Sequence, residues 1–240
     1  MERPYRAIAL VVIAMTVAAC STLLKDDFES YNVGQSPGGE IPGSPSCDEI
    51  QTEGDPSQFA VETTNAIAGD KSLSFEPAFA NAISQIDFLP CQPANNQRSL
   101  RFRWRGRFEG PADSPGVQVR ITDANAEAQL FRAYLFFNIT RSSIAIGSAG
   151  TVTHTVAGDF SRPHSVIARI VPGTAPGIQD KYFVAIVGEG INPNDAAPEG
   201  PLSDQVDFQA QEAFLRMIWK PFTNVSETYR VDDVMIELGQ

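Results

Sequence analysis

Short runs in which hydrophobic and polar residues alternate follow one another along most of the chain. Successive side chains of a strand point to opposite faces, so this alternation predicts β-strands with one apolar and one polar face. Clusters of Gly, Pro, Asn or Asp separate the runs, as turns require. The runs cover residues 71–75, 82–86, 100–108, 117–122, 130–139, 144–147, 151–156, 165–171, 182–187, 213–219 and 229–238.

Many short strands without long amphipathic helices predict an all-β fold, a two-sheet antiparallel β-sandwich or jelly roll. Hydrophobic residues make up 42% of the chain, which is enough for a sizeable core. We expect a single domain over residues 26–240, beginning with a strand at the acidic and aromatic residues 26–29. Residues 188–209 combine Gly, Pro and acidic residues with few apolar ones, and they predict the longest loop.

Residues 100–108 have the most regular alternation in the chain. The pattern directs Leu100, Phe102, Trp104 and Phe108 into the core and four arginines to the opposite face. We expect strands 117–122 and 130–139 to lie beside this strand and to extend the basic face. The candidate ligand-binding residues are then Arg101, Arg103, Arg105, Arg107, Arg120, Arg132 and Tyr134.

Two interpretations of this basic face stay open. The arginines can pair with carboxylates on adjacent strands, each exposed pair contributing at most about 1 kcal/mol. Alternatively, they can bind an anionic glycan through bidentate guanidinium contacts, with Tyr134 offering a ring on which a sugar stacks.

The first twenty residues have the features of a secretory signal. Arg3 and Arg6 precede the apolar run 7–19, which is too short to span a bilayer as a permanent helix. The run ends in Val17-Ala18-Ala19-Cys20, which resembles the bacterial lipobox. This resemblance implies a cleaved signal peptide over 1–19, acylation of Cys20 with fatty chains such as palmitate, and a short tether over 20–25. The alternative is an ordinary signal followed by a chance cysteine.

The resemblance to a lipoprotein also implies a place in the bacterial cell envelope. An Asp directly after the lipidated cysteine would resemble an inner-membrane retention signal. This chain has Ser21 at that position, so we expect the outer membrane. Two cysteines remain after Cys20, and in an oxidising compartment an even pair favours a Cys47–Cys91 disulfide. Two separate buried thiols or a metal pair are the alternatives.

The formal net charge of −11 excludes nucleic acid as a partner, because its phosphates would be repelled. Neither a second apolar stretch of spanning length nor a basic amphipathic helix occurs in the sequence. Membrane attachment would therefore come from the lipid.

Three segments resemble the jelly-roll domains of the concanavalin A-like lectin/glucanase and laminin-G group. They are the opening DDFESYNVGQSPGG, the strand G-D-K-S-L-S-F at 69–75, and the closing strand Y-R-V-D-D-V-M-I at 229–236. Calcium-bearing modules of this kind imply a structural calcium ion near these segments, for which this chain offers Asp26, Asp27, Glu29, Asp70, Asp232 and Asp233. The alternative is that these carboxylates cap turns and accept backbone hydrogen bonds.

Glycan hydrolases of the resembled group use two carboxylates across one sugar, in one branch as E-x-D-x-x-E, and no such arrangement occurs here. Asp123 and Glu127 are four apart in a predicted turn, whereas His154, Tyr134 and Tyr182 keep a lyase open. The leading hypothesis is a non-catalytic envelope lipoprotein that binds a polysaccharide or envelope glycan. An assembly protein that contacts a partner through a sheet face or edge is the second hypothesis, and a glycan-active enzyme is the third.

Overall fold

A computed structural model describes residues 22–42, 48–77, 83–91, 99–110, 116–123, 135–148, 150–173, 178–191, 199–202, 213–219 and 227–239. Apart from a short 3-10 helix at Pro56–Gln58, the regular structure of these residues is β-strand. The strands are β1 Thr22–Asp26, β2 Gly39–Glu40, β3 Glu49–Glu53, β4 Phe59–Glu62, β5 Ser72–Phe75, β6 Ser84–Leu89, β7 Leu100–Glu109, β8 Val117–Asp123, β9 Leu135–Ile139, β10 Ser143–Ser148, β11 Thr151–Ala157, β12 His164–Val171, β13 Lys181–Gly188, β14 Glu199–Pro201, β15 Ala213–Trp219 and β16 Thr228–Leu238.

The strands form two antiparallel sheets, which confirms the predicted all-β sandwich. The first sheet has the order β14-β13-β12-β7-β16-β5-β4, and β1 pairs with β16. The second sheet has the order β11-β10-β9-β8-β15-β6-β3-β2. We call the side of each sheet that points away from the other its outward face.

The hydrophobic core lies between the two sheets. In β7 the residues alternate between buried and half-buried, as the sequence pattern predicts. Trp104 of this strand packs edge-on against Phe137 of the second sheet, with ring centroids 5.2 Å apart. The indole of Trp219 donates a hydrogen bond to the carbonyl of Phe75 across the core. Each sheet therefore supplies large apolar side chains to one shared interior.

Two expectations about the chain differ from the structure. Strand β1 begins at Thr22, so most of the segment expected to be a tether is part of the first sheet, where Leu23 and Leu24 are buried. A strand, Glu199–Pro201, also lies within the segment expected to be one loop. Both strands have too few alternating residues to stand out from the sequence.

The expected adjacency of β7 with β8 and β9 is wrong. Strand β7 lies between β12 and β16 in the first sheet, whereas β8 and β9 are neighbours in the second. Among the described residues no helix is long and apolar enough to cross a membrane.

Candidate functional site

The outward face of the second sheet carries side chains that are buried although they do not belong to the core. In β15, Leu215, Met217 and Trp219 belong to the core cluster, so the alternate residues face outward. Those residues, Phe214, Arg216 and Ile218, are only 6%, 9% and 7% exposed. This strand is therefore buried on both faces.

A buried ion pair occupies the centre of this outward face. The guanidinium of Arg216 donates two hydrogen bonds to Asp87 of β6, from Nε to Oδ1 at 2.7 Å and from an Nη to Oδ2 at 2.6 Å. Gln85 donates a further bond to Asp87, and the Arg216 guanidinium lies 5.2 Å from the centre of the Phe214 ring. Burial raises the pKa of Asp87, and the bonds from Arg216 oppose that shift.

Arg120 lies directly beside this ion pair. On the flanking strands it stands opposite Arg216 and Phe136. Its Nε donates to the side-chain oxygen of Gln118 at 2.5 Å, and Gln118 donates in turn to Asn138 at 2.6 Å. Burial lowers the pKa of the Arg120 guanidinium, and the charge of Arg216 lowers it further.

The charges of Asp87, Arg216 and Arg120 do not balance within the described residues. Two guanidinium groups face each other across neighbouring strands, and Asp87 pairs with Arg216. Over the described part of the chain no carboxylate forms an ion pair with the half-buried Arg120. We call Asp87, Arg216, Arg120, Gln118 and Asn138 the arginine cluster. Arg120 and the amide of Asn138 are half-buried, so they are the members of the cluster that a ligand can reach.

The arginines of β7 have a different environment on the outward face of the first sheet. They pair with carboxylates of β16 or of β7 itself, Arg101 with Glu237, Arg103 and Arg105 with Asp233, and Arg107 with Glu109. This is the arrangement that the first of the two interpretations predicts. A ligand-binding role for the row stays a prediction, although its charge is largely balanced by protein groups.

The structure does not bring all the sequence-predicted ligand residues together. Because β7 and β8 lie in different sheets, Arg120 and the β7 arginines are on opposite outward faces of the sandwich. Arg132 and Tyr134 lie outside the described residues.

Most of the carboxylates expected to hold calcium have protein partners, whereas the side chain of Asp70 is exposed. Asp232 accepts the backbone N–H groups of Ala68 and Asp233, and Glu29 accepts those of Asp70 and Lys71. Asp27 pairs with Lys25, and Asp233 pairs with two arginines. Within the described residues no group of three or more His, Cys, Asp or Glu side chains is placed to hold a metal ion. These contacts favour the capping alternative.

Burial leaves two of these acidic groups with raised pKa values. The pKa of Asp26 rises to about 6 because the side chain is buried, against the hydrogen bonds that it accepts from Phe28 and Tyr31. Burial likewise raises the pKa of Asp232 to about 6. The two carboxyls lie where β1 pairs with β16.

Sequence reasoning identified Arg120 but missed Asp87, Arg216, Gln118 and Asn138. One signal was present in the sequence: 213–219, AFLRMIW, is apolar at outward as well as inward positions and has one arginine at its centre. Such a strand is buried on both faces, and a buried charge needs a partner. The identity of that partner depends on strand order, which the sequence pattern does not contain.

No protein-family profile and no curated protein sequence matches this chain. Solved structures match its fold. The PL-14 alginate lyase from Aplysia kurodai has a TM-score of 0.54 at 8% identity, over 91% of this chain and 100% of that one. The alginate lyase Aly36B, in complex with an alginate trisaccharide, has a TM-score of 0.53 at 9% identity, over 92% of this chain and 100% of that one. The carbohydrate recognition domain of Emp47p has a TM-score of 0.51 at 10% identity, over 93% of this chain and 99% of that one.

At these identities the likeness shows the fold alone. The chain has the jelly-roll fold found in concanavalin A-like lectins and in polysaccharide lyases and hydrolases.

Proposed function

We propose that this protein is a non-catalytic, lipid-anchored envelope protein whose second sheet binds an acidic polysaccharide. The observation that carries the binding proposal is the arginine cluster, where Arg120 adds a positive charge that no described carboxylate pairs with. A function must be argued from such a site, because one fold serves many functions.

The chemistry of the cluster suits a sugar that carries a carboxylate. A guanidinium can donate two parallel hydrogen bonds to one carboxylate, and such charge-assisted bonds are about twice as strong as neutral ones. The bond from Arg120 Nε to Gln118 fixes the plane of the guanidinium. The amides of Gln118 and Asn138 can donate to and accept from sugar hydroxyls.

The structural neighbours support this ligand class. Two of the similar structures are alginate lyases, and another is a carbohydrate recognition domain. A lectin-like binding role needs only the cluster, whereas hydrolysis needs a second carboxylate across the sugar. Asp87 is engaged in two bonds with Arg216, so it is a poor general acid or base.

The lipid anchor in this proposal rests on the sequence around Cys20. The lipobox-like Val17-Ala18-Ala19-Cys20 ends two residues before β1 begins at Thr22. A lipid on Cys20 would hold the sandwich at the surface of the envelope membrane, and we expect the outer membrane. There the second sheet could meet envelope or extracellular polymers.

The binding proposal can be tested with purified full-length protein in detergent and two polymers. Alginate serves as the polyuronate and dextran as the neutral control. We expect binding to alginate and at least about tenfold weaker binding in Arg120→Ala, since a hydrogen bond to a charged group contributes about 1.5–3 kcal/mol. Arg105→Ala is the matched control, because this arginine pairs with Asp233 on the opposite face.

The outcomes separate the three hypotheses. Unchanged alginate affinity in a folded Arg120→Ala variant would remove the cluster from the site. Polymer shortening, with new unsaturated uronate ends, would replace the binding protein with a lyase. Absence of binding to both polymers would contradict the proposal and favour the assembly protein.

A further inference from the structure

The outward face of the first sheet carries an exposed apolar region at its β12–β13 side. Phe183 and Val187 of β13 are 40% and 61% exposed, and Ile178, just before this strand, is 55% exposed. Arg169 of β12 pairs with Phe183 in the strand register. Lys181 lies two residues before Phe183, at the start of β13. Large apolar side chains next to basic ones on one flat face are typical of surfaces that meet a bilayer.

Phe183 lies at the end of the sandwich where the chain enters, and Val187 lies four residues further along β13. A row of paired residues runs across the sheet from Thr22 to Glu237, Arg101, Arg169 and Phe183. Neighbouring strands lie about 4.8 Å apart, so Thr22 and Phe183 are separated by roughly 19 Å along this row. Lys25 of β1 is exposed and pairs with Met235, which places a further basic residue near the entry point.

The short link from Cys20 leaves little freedom to the domain. Two residues span less than roughly 7 Å even when extended. If Cys20 carries lipid, the edge of the first sheet must therefore lie near the lipid headgroups. A sheet face that starts at this edge can settle on the bilayer without a change in the fold.

We infer that the outward face of the first sheet around Phe183 and Arg169 lies against an anionic bilayer. This inference rests on the lipid anchor of the proposed function. The basic residues Lys25, Arg101 and Lys181 each pair with a carboxylate on this side of the sheet, Asp27, Glu237 and Glu199. Anionic headgroups can compete for them because these pairs are at least partly exposed. The Lys181–Glu199 pair on this face is exposed, and water and salt weaken it.

The inference also gives an orientation to the arginine cluster. The outward faces of the two sheets point in opposite directions, so the cluster would face away from the membrane. A polymer could then approach it from the aqueous side.

The test uses fluorescence quenching of the full-length lipoprotein in vesicles. Phe183→Trp places a reporter on the apolar region, and Gln51→Trp places one at an exposed position of β3 in the second sheet. Native Trp104 and Trp219 are buried and give the same background in both variants. The vesicles contain phosphatidylethanolamine and phosphatidylglycerol, with or without brominated acyl chains, and mass spectrometry of the N-terminal peptide reports the lipid.

We expect brominated chains to quench the reporter at position 183 at least about twofold more than the reporter at position 51. Adding Arg169→Glu and Lys181→Glu should reduce this difference. Equal quenching of both reporters in a lipidated protein would overturn the inference and leave the anchor intact. An N-terminal peptide without lipid would overturn the anchor, and the inference with it.

Discussion

His164 lies in the core with both ring nitrogens hydrogen-bonded. Trp104 donates to the hydroxyl of Tyr229 at 3.1 Å, this hydroxyl lies 3.2 Å from His164 Nε2, and Nδ1 lies 3.2 Å from the carbonyl of Arg162. A neutral imidazole with its proton on Nδ1 satisfies all three contacts at once. Burial lowers the pKa of His164 to about 4. Protonation would turn Nε2 into a donor, and the hydroxyl proton of Tyr229 would then lose its acceptor.

This pKa gives a prediction for stability against pH. The folded pKa of about 4 lies below the ordinary value of 6.5, so the unfolded chain binds a proton more readily. Above pH 6.5 His164 is neutral in both states and does not lower the free energy of unfolding. As the pH falls from 6.5 towards 4, the unfolded chain takes up a proton that the folded protein does not, and the free energy of unfolding falls by about 3 kcal/mol. Urea unfolding of wild type and His164→Asn from pH 7 to 4 measures it. A wild-type stability that falls no faster than that of the variant would contradict the prediction.

At the scale of elements, β7 needs a glycine at one core-facing position. Gly106 continues the inward series of β7, but a Cβ there would lie 1.9 Å from the hydroxyl of Tyr229. The space that a side chain would fill is occupied by the Tyr229–His164 contact. The absence of a side chain at Gly106 therefore leaves room for Tyr229.

We expect Gly106→Ala to lower the free energy of unfolding by about 3 kcal/mol, because Tyr229 must move out of its contacts. Gly38→Ala is the matched control, since a Cβ there meets nothing within 4 Å, and it should change stability by less than about 0.5 kcal/mol. Thermal or urea unfolding of both variants checks this. Similar small effects in the two would show that the core beside β7 is looser than described.

The pairing of β3 with β6 bears on the predicted disulfide. Five consecutive pairs, from Glu49 with Leu89 to Glu53 with Gln85, keep one register. These pairs end at Glu49 and Leu89, each two residues from a cysteine in the sequence. Cys91 is disulfide-bonded, and its backbone N–H donates to Asp48 at 3.0 Å. Cys47 lies outside the described residues.

We expect mass spectrometry without reduction to find the peptides of Cys47 and Cys91 linked. Closing a loop of this length restricts the unfolded chain, so reduction should lower the free energy of unfolding by roughly 3–4 kcal/mol. The double variant Cys47→Ser/Cys91→Ser should resemble the reduced protein. A linked peptide containing Cys20, or free Cys47 and Cys91 thiols, would contradict this pairing.

The sequence predicts strands better than it predicts their partners. Strands β7, β8 and β16 have long alternating patterns, and the predicted bounds of β15 agree with the structure. The pattern records which face of a strand is buried, but it does not record which strand lies beside it. For that reason Arg120 was placed with the arginines of β7, although it lies on the opposite side of the molecule. The Arg216–Asp87 pair joins residues 129 apart and depends on that same strand order.

At the scale of the whole molecule, the two outward faces have different charge arrangements. The first sheet carries arginines that pair with carboxylates, together with the exposed apolar region near Phe183. The second sheet carries the arginine cluster, in which Arg216 is buried and Arg120 is half-buried. A sandwich with one face towards the membrane and one towards a polymer accounts for both arrangements.

The most direct test of this account compares one polymer with and without its charge. Binding of the full-length protein to alginate and to carboxyl-reduced alginate is measured by calorimetry, for wild type and for Arg120→Gln. The account predicts that wild type prefers native alginate by at least about tenfold and that Arg120→Gln loses this preference. Equal affinity of wild type for the two polymers, or an unchanged preference in Arg120→Gln, would contradict it.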